Sequence, residues 1–310
     1  MTDQQHAQQQ QHENGHKHGH QHGHDATHMD WDVMGPLLEL GAEVESPVVD
    51  QAAVWLRERR EAAGRPEVRR LLDVGSGPGV GACQFAQAFP DAEVVAVDGT
   101  RALLERARAR AEGLGLAGRV RTCLADIPDG LGTVGDADLI WSGMALHHIG
   151  DQRSAVDRLG RLLRPGGLLA VAEGGLPTRS LPRDIGFGRP GLQARLEVLN
   201  DNWFNEMRAA LPDSKETVED WPAFLTAAGL TDVRSRTFLI DLPAPLGADA
   251  RAYLHATLTR RSESLGELLD AEDRAALARL LDPEDPQGLM LRPDVFLLSA
   301  RTVHTGVKPA

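Results

Sequence analysis

"LLDVGSGPG", residues 71–79, decides the fold. Two leucines lead into an acid, and glycine then stands at every second position, at Gly75, Gly77 and Gly79. Glycine turns freely to positive φ and leaves no Cβ between the backbone and whatever approaches it. A short apolar strand ending in so bare a loop marks a place where backbone is brought close to something else.

Working outward, the same strand–helix rhythm repeats. "VRRLLDV" (68–74) reads as a strand, with a helix over 79–89. "AEVVAVD" (92–98) is a second strand, and the helix at 100–113 keeps Leu103, Leu104 and Ala107 on one face. Strands follow at 119–126, 137–142 and 167–173, with a helix at 151–164. Short, nearly continuous apolar strands alternating with amphipathic helices predict a parallel sheet covered on both faces. Right-handed crossovers place every loop after a strand along one edge, and ligands bind there.

Upstream, a helix is expected after Pro36, and a second over Pro47–Ala63, with Ser46 as its cap and Gly64 as its stop. Downstream, residues 174–191 are turn-rich. Helices are expected at 190–211, 217–228 and throughout 248–282, and strands at 232–242 and 294–304. The predicted fold is a three-layer Rossmann-like α/β sheet of seven strands, mostly parallel with the last antiparallel. N-terminal helices and C-terminal helical insertions flank it. The expected divisions are a His-rich tail (1–28), a helical lid (29–66), a ligand-binding core (67–175) and a C-terminal part with substrate-pocket insertions (176–310).

Two ligand classes use such an edge, nicotinamide dinucleotides and S-adenosylmethionine. The dinucleotide fingerprint G-x-G-x-x-G needs a third glycine three residues after the second. Counting from Gly75, that position is Val80. Asp98 ends the second strand, where a carboxylate can accept from both ribose hydroxyls. Asp126 ends the third in "CLADIPDG".

The form D-x-G-x-G-x-G, with Asp73 before the glycines, resembles the first motif of class I S-adenosylmethionine-dependent methyltransferases. "DADLIWSGMALHHIGD" (136–151) and "LGRLLRPGGLLAVAE" (159–173) extend the likeness. They resemble the fourth- and fifth-strand motifs of the methyltransferases typified by ubiquinone and menaquinone biosynthesis. The resemblance implies S-adenosylmethionine as cofactor, with Asp73, Gly75, Ser76, Gly77 and Gly79 at its amino-acid end. It implies Asp98 and Gly99 at the ribose, Asp126 and the Ile127 N–H at adenine, and Trp141 and Ser142 lining the methionine pocket. The implied activity is methyl transfer to a small-molecule oxygen, nitrogen or carbon by direct displacement. In-line displacement from a sulfonium needs positioning above all, worth roughly 7–11 kcal/mol. A general base helps only where the acceptor loses a proton, and His147 and His148 are the candidates for it.

Composition narrows partners. A net charge of −12 argues against a sequence-independent grip on nucleic acid. No apolar run approaches the ~18 residues of a membrane span, and no signal segment opens the chain. Two cysteines, Cys83 and Cys123, fit a reducing cytoplasm. Eight of the twelve histidines lie in residues 1–28. Among them His16, His18, His20, His22 and His24 alternate with other residues and offer neutral imidazoles to a divalent metal. A non-catalytic regulator using that tail is the alternative reading. The substrate walls are expected from Trp31, Trp55, Phe187, Trp203, Phe204 and Tyr253, while Glu173 and Arg183 are expected at solvated or paired surface positions.

Overall fold

The computed structural model describes residues 30–65, 67–127 and 129–310. The histidine run His16–His24 lies outside the described residues. Seven strands form one sheet: β1 (Arg70–Val74), β2 (Glu93–Asp98), β3 (Val120–Leu124), β4 (Ala137–Gly143), β5 (Leu163–Arg179), β6 (Thr231–Leu242) and β7 (Leu297–Val307). Their spatial order is β3-β2-β1-β4-β5-β7-β6. The first five pair in parallel, and β7 runs antiparallel between β5 and β6. The order reverses between β1 and β4, which puts the ligand edge where those two strands end.

Successive strand residues feed opposite layers. Leu71 and Leu139 pack beneath the helices α2 (Ser46–Ala62), α3 (Val80–Ala88) and α8 (Ala248–Leu265). Leu72 and Ile140 pack beneath α5 (Gln152–Arg161) and α7 (Trp221–Ala227). Both faces are covered, which is why β1 and β4 read as unbroken apolar runs. The helix α4 (Arg101–Gly113) follows β2, while α6 (Leu192–Ala209) and α9 (Ala271–Leu281) belong to the C-terminal part.

Four local expectations need correction. The first helix, α1 (Trp31–Val44), begins before Pro36 and carries it inside. Asp30 caps it by accepting from the Asp32 N–H, so initiation does not depend on proline. Ser46 does not cap the second helix. It lies within α2, whose N-cap position is Glu45 and shows no side-chain bond. The stretch 248–282 is two helices, broken between Leu265 and Ala271, with Asp270 capping the second through the Asp273 N–H. The turn-rich stretch after residue 173 stays in the sheet as far as Arg179. A register shift between Ala172 and Gly175 against β7 marks a bulge there, with both Gly174 and Gly175 at positive φ.

Candidate active site

Three acids mark successive strand tips. Asp73 ends β1 in deep burial, 3% exposed, and accepts from the Ala82 N–H at the start of α3. Asp98 ends β2, and its carboxylate ties down the loops around it. One oxygen accepts from Gly77 N–H at 2.9 Å, the other from Thr100 N–H at 2.8 Å. Asp126 follows β3 and is exposed. Burial pushes the Asp73 carboxyl up to about 7, and the neighbouring Asp98 adds to the rise. Burial likewise raises Asp98, with Asp126 contributing. Carboxylates stacked this closely resist ionising together, so the row favours a ligand that brings a cation and hydroxyl donors.

The loop beside them fits such a ligand. Gly75, Gly77 and Gly79 all sit at positive φ. A Cβ on Gly79 would meet the Ala107 backbone at 2.9 Å, so that glycine serves helix packing. At Gly77 nothing stands within 4 Å of the Cβ position; the bare backbone faces open space. The Ser76 hydroxyl is buried and makes no hydrogen bond within the described residues. It is a donor suited to a ligand carboxylate. Gly99 lies against the Asp126 carboxylate, bringing the tips of β2 and β3 together.

Trp141 and Ser142 come out differently from expectation. Trp141 stands in register with Asp73 and packs its indole on Phe85, 5.1 Å between centroids. It backs the acid from inside the core. Ser142 is fully buried and gives its hydroxyl to the Val74 carbonyl at 2.9 Å. It ties β4 to β1 and offers no side-chain donor to the cleft.

Beyond β4 the chain turns through Met144, a non-glycine residue at φ 52°. Backbone strain of this kind is held only where the surroundings over-determine it. Here the turn carries Ala145 against Gly75 and leads into a short 3-10 turn, Leu146–His148. Glu173, the last residue before the β5 bulge, fastens it. One carboxylate oxygen accepts from the N–H groups of Ala145 and Leu146 at 3.0 and 2.8 Å. The other meets His147 Nδ1 at 2.9 Å. With Glu173 accepting, Nδ1 is the donor and Nε2 keeps its lone pair. Glu173 is 3% exposed, so the surface role expected of it is wrong. Sequence spacing gave no sign of this pairing, because 26 positions and a crossover helix separate the partners.

The far wall is α6. Phe204 lies 5.8 Å from the His147 ring, and His148 stacks at 4.1 Å on its other neighbour side. Arg208, one turn after Phe204, donates to the carbonyls of His147 and Ile149 at 2.6 and 2.9 Å. The other histidines are engaged elsewhere: His255 Nε2 with the Leu281 carbonyl, His304 Nδ1 with the Ser235 hydroxyl. Among the described residues no group of three His, Cys, Asp or Glu is placed to hold a metal. Of the aromatic candidates, Trp55 is core, Phe187, Trp203 and Tyr253 pack on its margin, and Trp31 is half-buried. Arg183 is exposed.

An open sheet with acids at three adjacent tips, a glycine loop and an acid-bound histidine defines a nucleoside-binding α/β enzyme. Comparison with known proteins narrows this. Residues 71–167 match the model of a family described as "Methyltransferase domain". A trans-aconitate 2-methyltransferase of Methylobacterium radiotolerans is 31% identical over 225 residues, 71% of this chain and 72% of that protein. A malonyl-[acyl-carrier protein] O-methyltransferase of Nitrosospira multiformis is 32% identical over 157 residues, 44% of this chain and 50% of that one. An O-methyltransferase family structure from Burkholderia thailandensis shares the fold with a TM-score of 0.50 at 16% identity, covering 93% of this chain and 61% of its own. The chain belongs to the class I S-adenosylmethionine-dependent methyltransferases, enzymes that methylate small-molecule acceptors. The narrower likeness to the ubiquinone and menaquinone branch rests on the β4 and β5 motifs alone.

Proposed function

We propose that this enzyme holds S-adenosylmethionine across the tips of β1 to β4 and methylates its acceptor with His147 as general base. When bound, the cofactor supplies a methyl group activated by its sulfonium. Asp73 receives the ammonium, and the Ser76 hydroxyl and Gly77 backbone meet the carboxylate end. Asp98 accepts from the ribose hydroxyls, while Asp126 and the Ile127 N–H take the adenine edge. His147 removes the acceptor proton through Nε2, and Glu173 holds the ring in the required tautomer and orientation. The helices α1 and α2 form a lid over residues 29–66. Two free cysteines and the absence, among the described residues, of a helix long and apolar enough to cross a membrane fit a cytoplasmic enzyme. Trans-aconitate, named for one relative, is one test acceptor.

The observation that carries the base assignment is the three-point grip of Glu173 on the 145–147 turn. A buried carboxylate spending both oxygens on one loop costs desolvation, and here it fixes a histidine at the edge where the methyl arrives. The test is His147→Ala, assayed alongside S-adenosylhomocysteine affinity. Turnover should fall roughly 10²–10⁴-fold with affinity within twofold of wild type. Undiminished turnover would refute the role.

A further inference from the structure

We infer that the acceptor atom still carries its proton when it enters the site: a hydroxyl, phenol, neutral amine or acidic carbon, and not a carboxylate. The inference rests on the base assignment for His147. Its evidence is the charge on the acceptor wall. The side chains gathered where β4 and β5 end are His147, its partner Glu173, the exposed Met144 and, across from them, Phe204. The formal charge presented there is acidic, and the rest is apolar or aromatic.

A carboxylate acceptor needs a counter-charge, because stripping it of water without one costs far more than a methyl-transfer site can return. Guanidinium groups are the usual partners. The arginines on this side are already spent. Arg208, 13% exposed, gives Nη1 to two carbonyls and turns Nε toward Glu219 at 3.8 Å. Arg301 on β7 is paired with Glu45, and Arg179 at the end of β5 with Glu197. Arg183, in the exposed loop after β5, is the remaining guanidinium near this wall. A carboxylate also gains nothing from a base, since it has no proton to lose. An acid–histidine pair beside the methyl position is built for the opposite case.

The step balances as follows. The X–H proton of the acceptor passes to His147 Nε2. Its electron pair forms the X–CH₃ bond as the S–CH₃ bond breaks, and that pair stays on sulfur as a neutral thioether. The imidazolium then returns its proton to water.

The experiment uses the full chain and has two arms. In the first, the enzyme saturated with S-adenosylhomocysteine is titrated with trans-aconitate by calorimetry at neutral pH. No saturable binding below millimolar concentration is expected. Submillimolar binding overturns the inference, and its loss in Arg183→Ala would name the residue responsible. In the second, enzyme and methyl-labelled S-adenosylmethionine are given trans-aconitate, a naphthol, a catechol and an aromatic amine, and products are treated with alkali. Carboxyl methyl esters release volatile methanol, whereas ethers, N-methyl and C-methyl products keep the label. Alkali-stable label at least tenfold above any labile label supports the inference, and a dominant labile product overturns it. If no acceptor turns over, the titration decides. The two assignments fail separately. Full activity of His147→Ala with an alkali-stable product removes the base and leaves the acceptor class standing. A labile product made at a rate that His147→Ala abolishes does the reverse.

Discussion

The burial of Asp73 makes cofactor affinity a function of pH, with a sign fixed by the structure. Its carboxyl is lifted to about 7 by burial first and by Asp98 second, with the Ala82 N–H opposing. Below that value the free enzyme holds Asp73 protonated, and a protonated acid cannot receive an ammonium. Binding then requires the proton to leave, and the observed dissociation constant scales as 1 + 10^(7 − pH), until the bound form itself titrates. The factor is about 11 at pH 6 and about 1.1 at pH 8, a tenfold loss of affinity worth roughly 1.4 kcal/mol. Asp98 and Asp126 face the same cleft and steepen the dependence in the same direction, Asp98 because it too is raised. The assay is titration of S-adenosylhomocysteine at pH 6, 7 and 8 in buffers of different ionisation enthalpy, with about 0.9 proton released per ligand at pH 6. Stability moves the other way. The unfolded acid ionises near 3.8 and the folded one near 7, so between those values the native state binds more protons. Unfolding free energy contributed by Asp73 therefore falls as pH rises through that window and levels off above it, by about 4 kcal/mol in all. Asp73→Asn should flatten both dependences while weakening binding at pH 8. Affinity constant within twofold from pH 6 to 8, or an unchanged slope in Asp73→Asn, refutes the reasoning.

Three further outcomes are expected. Gly77→Ala and Gly79→Ala separate ligand approach from packing: the first should raise the S-adenosylhomocysteine dissociation constant more than tenfold with about 1 kcal/mol lost in stability. The second, whose Cβ meets the Ala107 backbone at 2.9 Å, should lose about 3 kcal/mol or more in chemical denaturation. Asp98→Ala removes the acceptor of the Gly77 and Thr100 N–H groups as well as the ribose partner; titration should show affinity down more than tenfold, and unchanged affinity removes the ribose assignment. Arg208→Ala strands the carbonyls of His147 and Ile149, at a cost of about 1–3 kcal/mol per unsatisfied group. Its turnover should drop at least tenfold with S-adenosylhomocysteine affinity within twofold, and Arg208→Lys should recover part of the rate.

What the sequence announced, and what it hid, divides along one physical line. Strand tips and glycine turns are local: Asp73, Asp98 and Asp126 each follow an apolar run, and Gly75, Gly77 and Gly79 advertise positive φ wherever they stand. Their positions on one edge then follow from handedness alone. Side-chain direction within a buried strand is not local in that sense. Ser142 lies one residue from Trp141, and only the pairing of β4 with β1 decides that its hydroxyl meets Val74. Helix ends behaved similarly, since the Asp30 cap outweighed the stop expected at Pro36 and Asp270 restarted a helix inside an otherwise continuous pattern.

The acceptor wall is the extreme case, because its parts come from three distant segments. His147 was visible as a residue type, but its acid lies on the next strand and its backbone clamp on α6. The bulge at Gly174 and Gly175 explains why both were overlooked. Two glycines followed by a proline look like the end of a strand, so residues after 173 read as loop and Glu173 as its exposed first residue. In the folded chain the same glycines let β5 shift register against β7 and continue to Arg179. The bulge thus leaves Glu173 in the buried part of the strand, facing the 145–147 turn, while the chain beyond it reaches out to α6. A single irregularity at positive φ joins the acid that orients His147 to the segment that closes over it. Changing Gly175 to a residue with a Cβ, which would stand 2.8 Å from the Ala300 carbonyl carbon, should for that reason disturb turnover before it disturbs cofactor affinity.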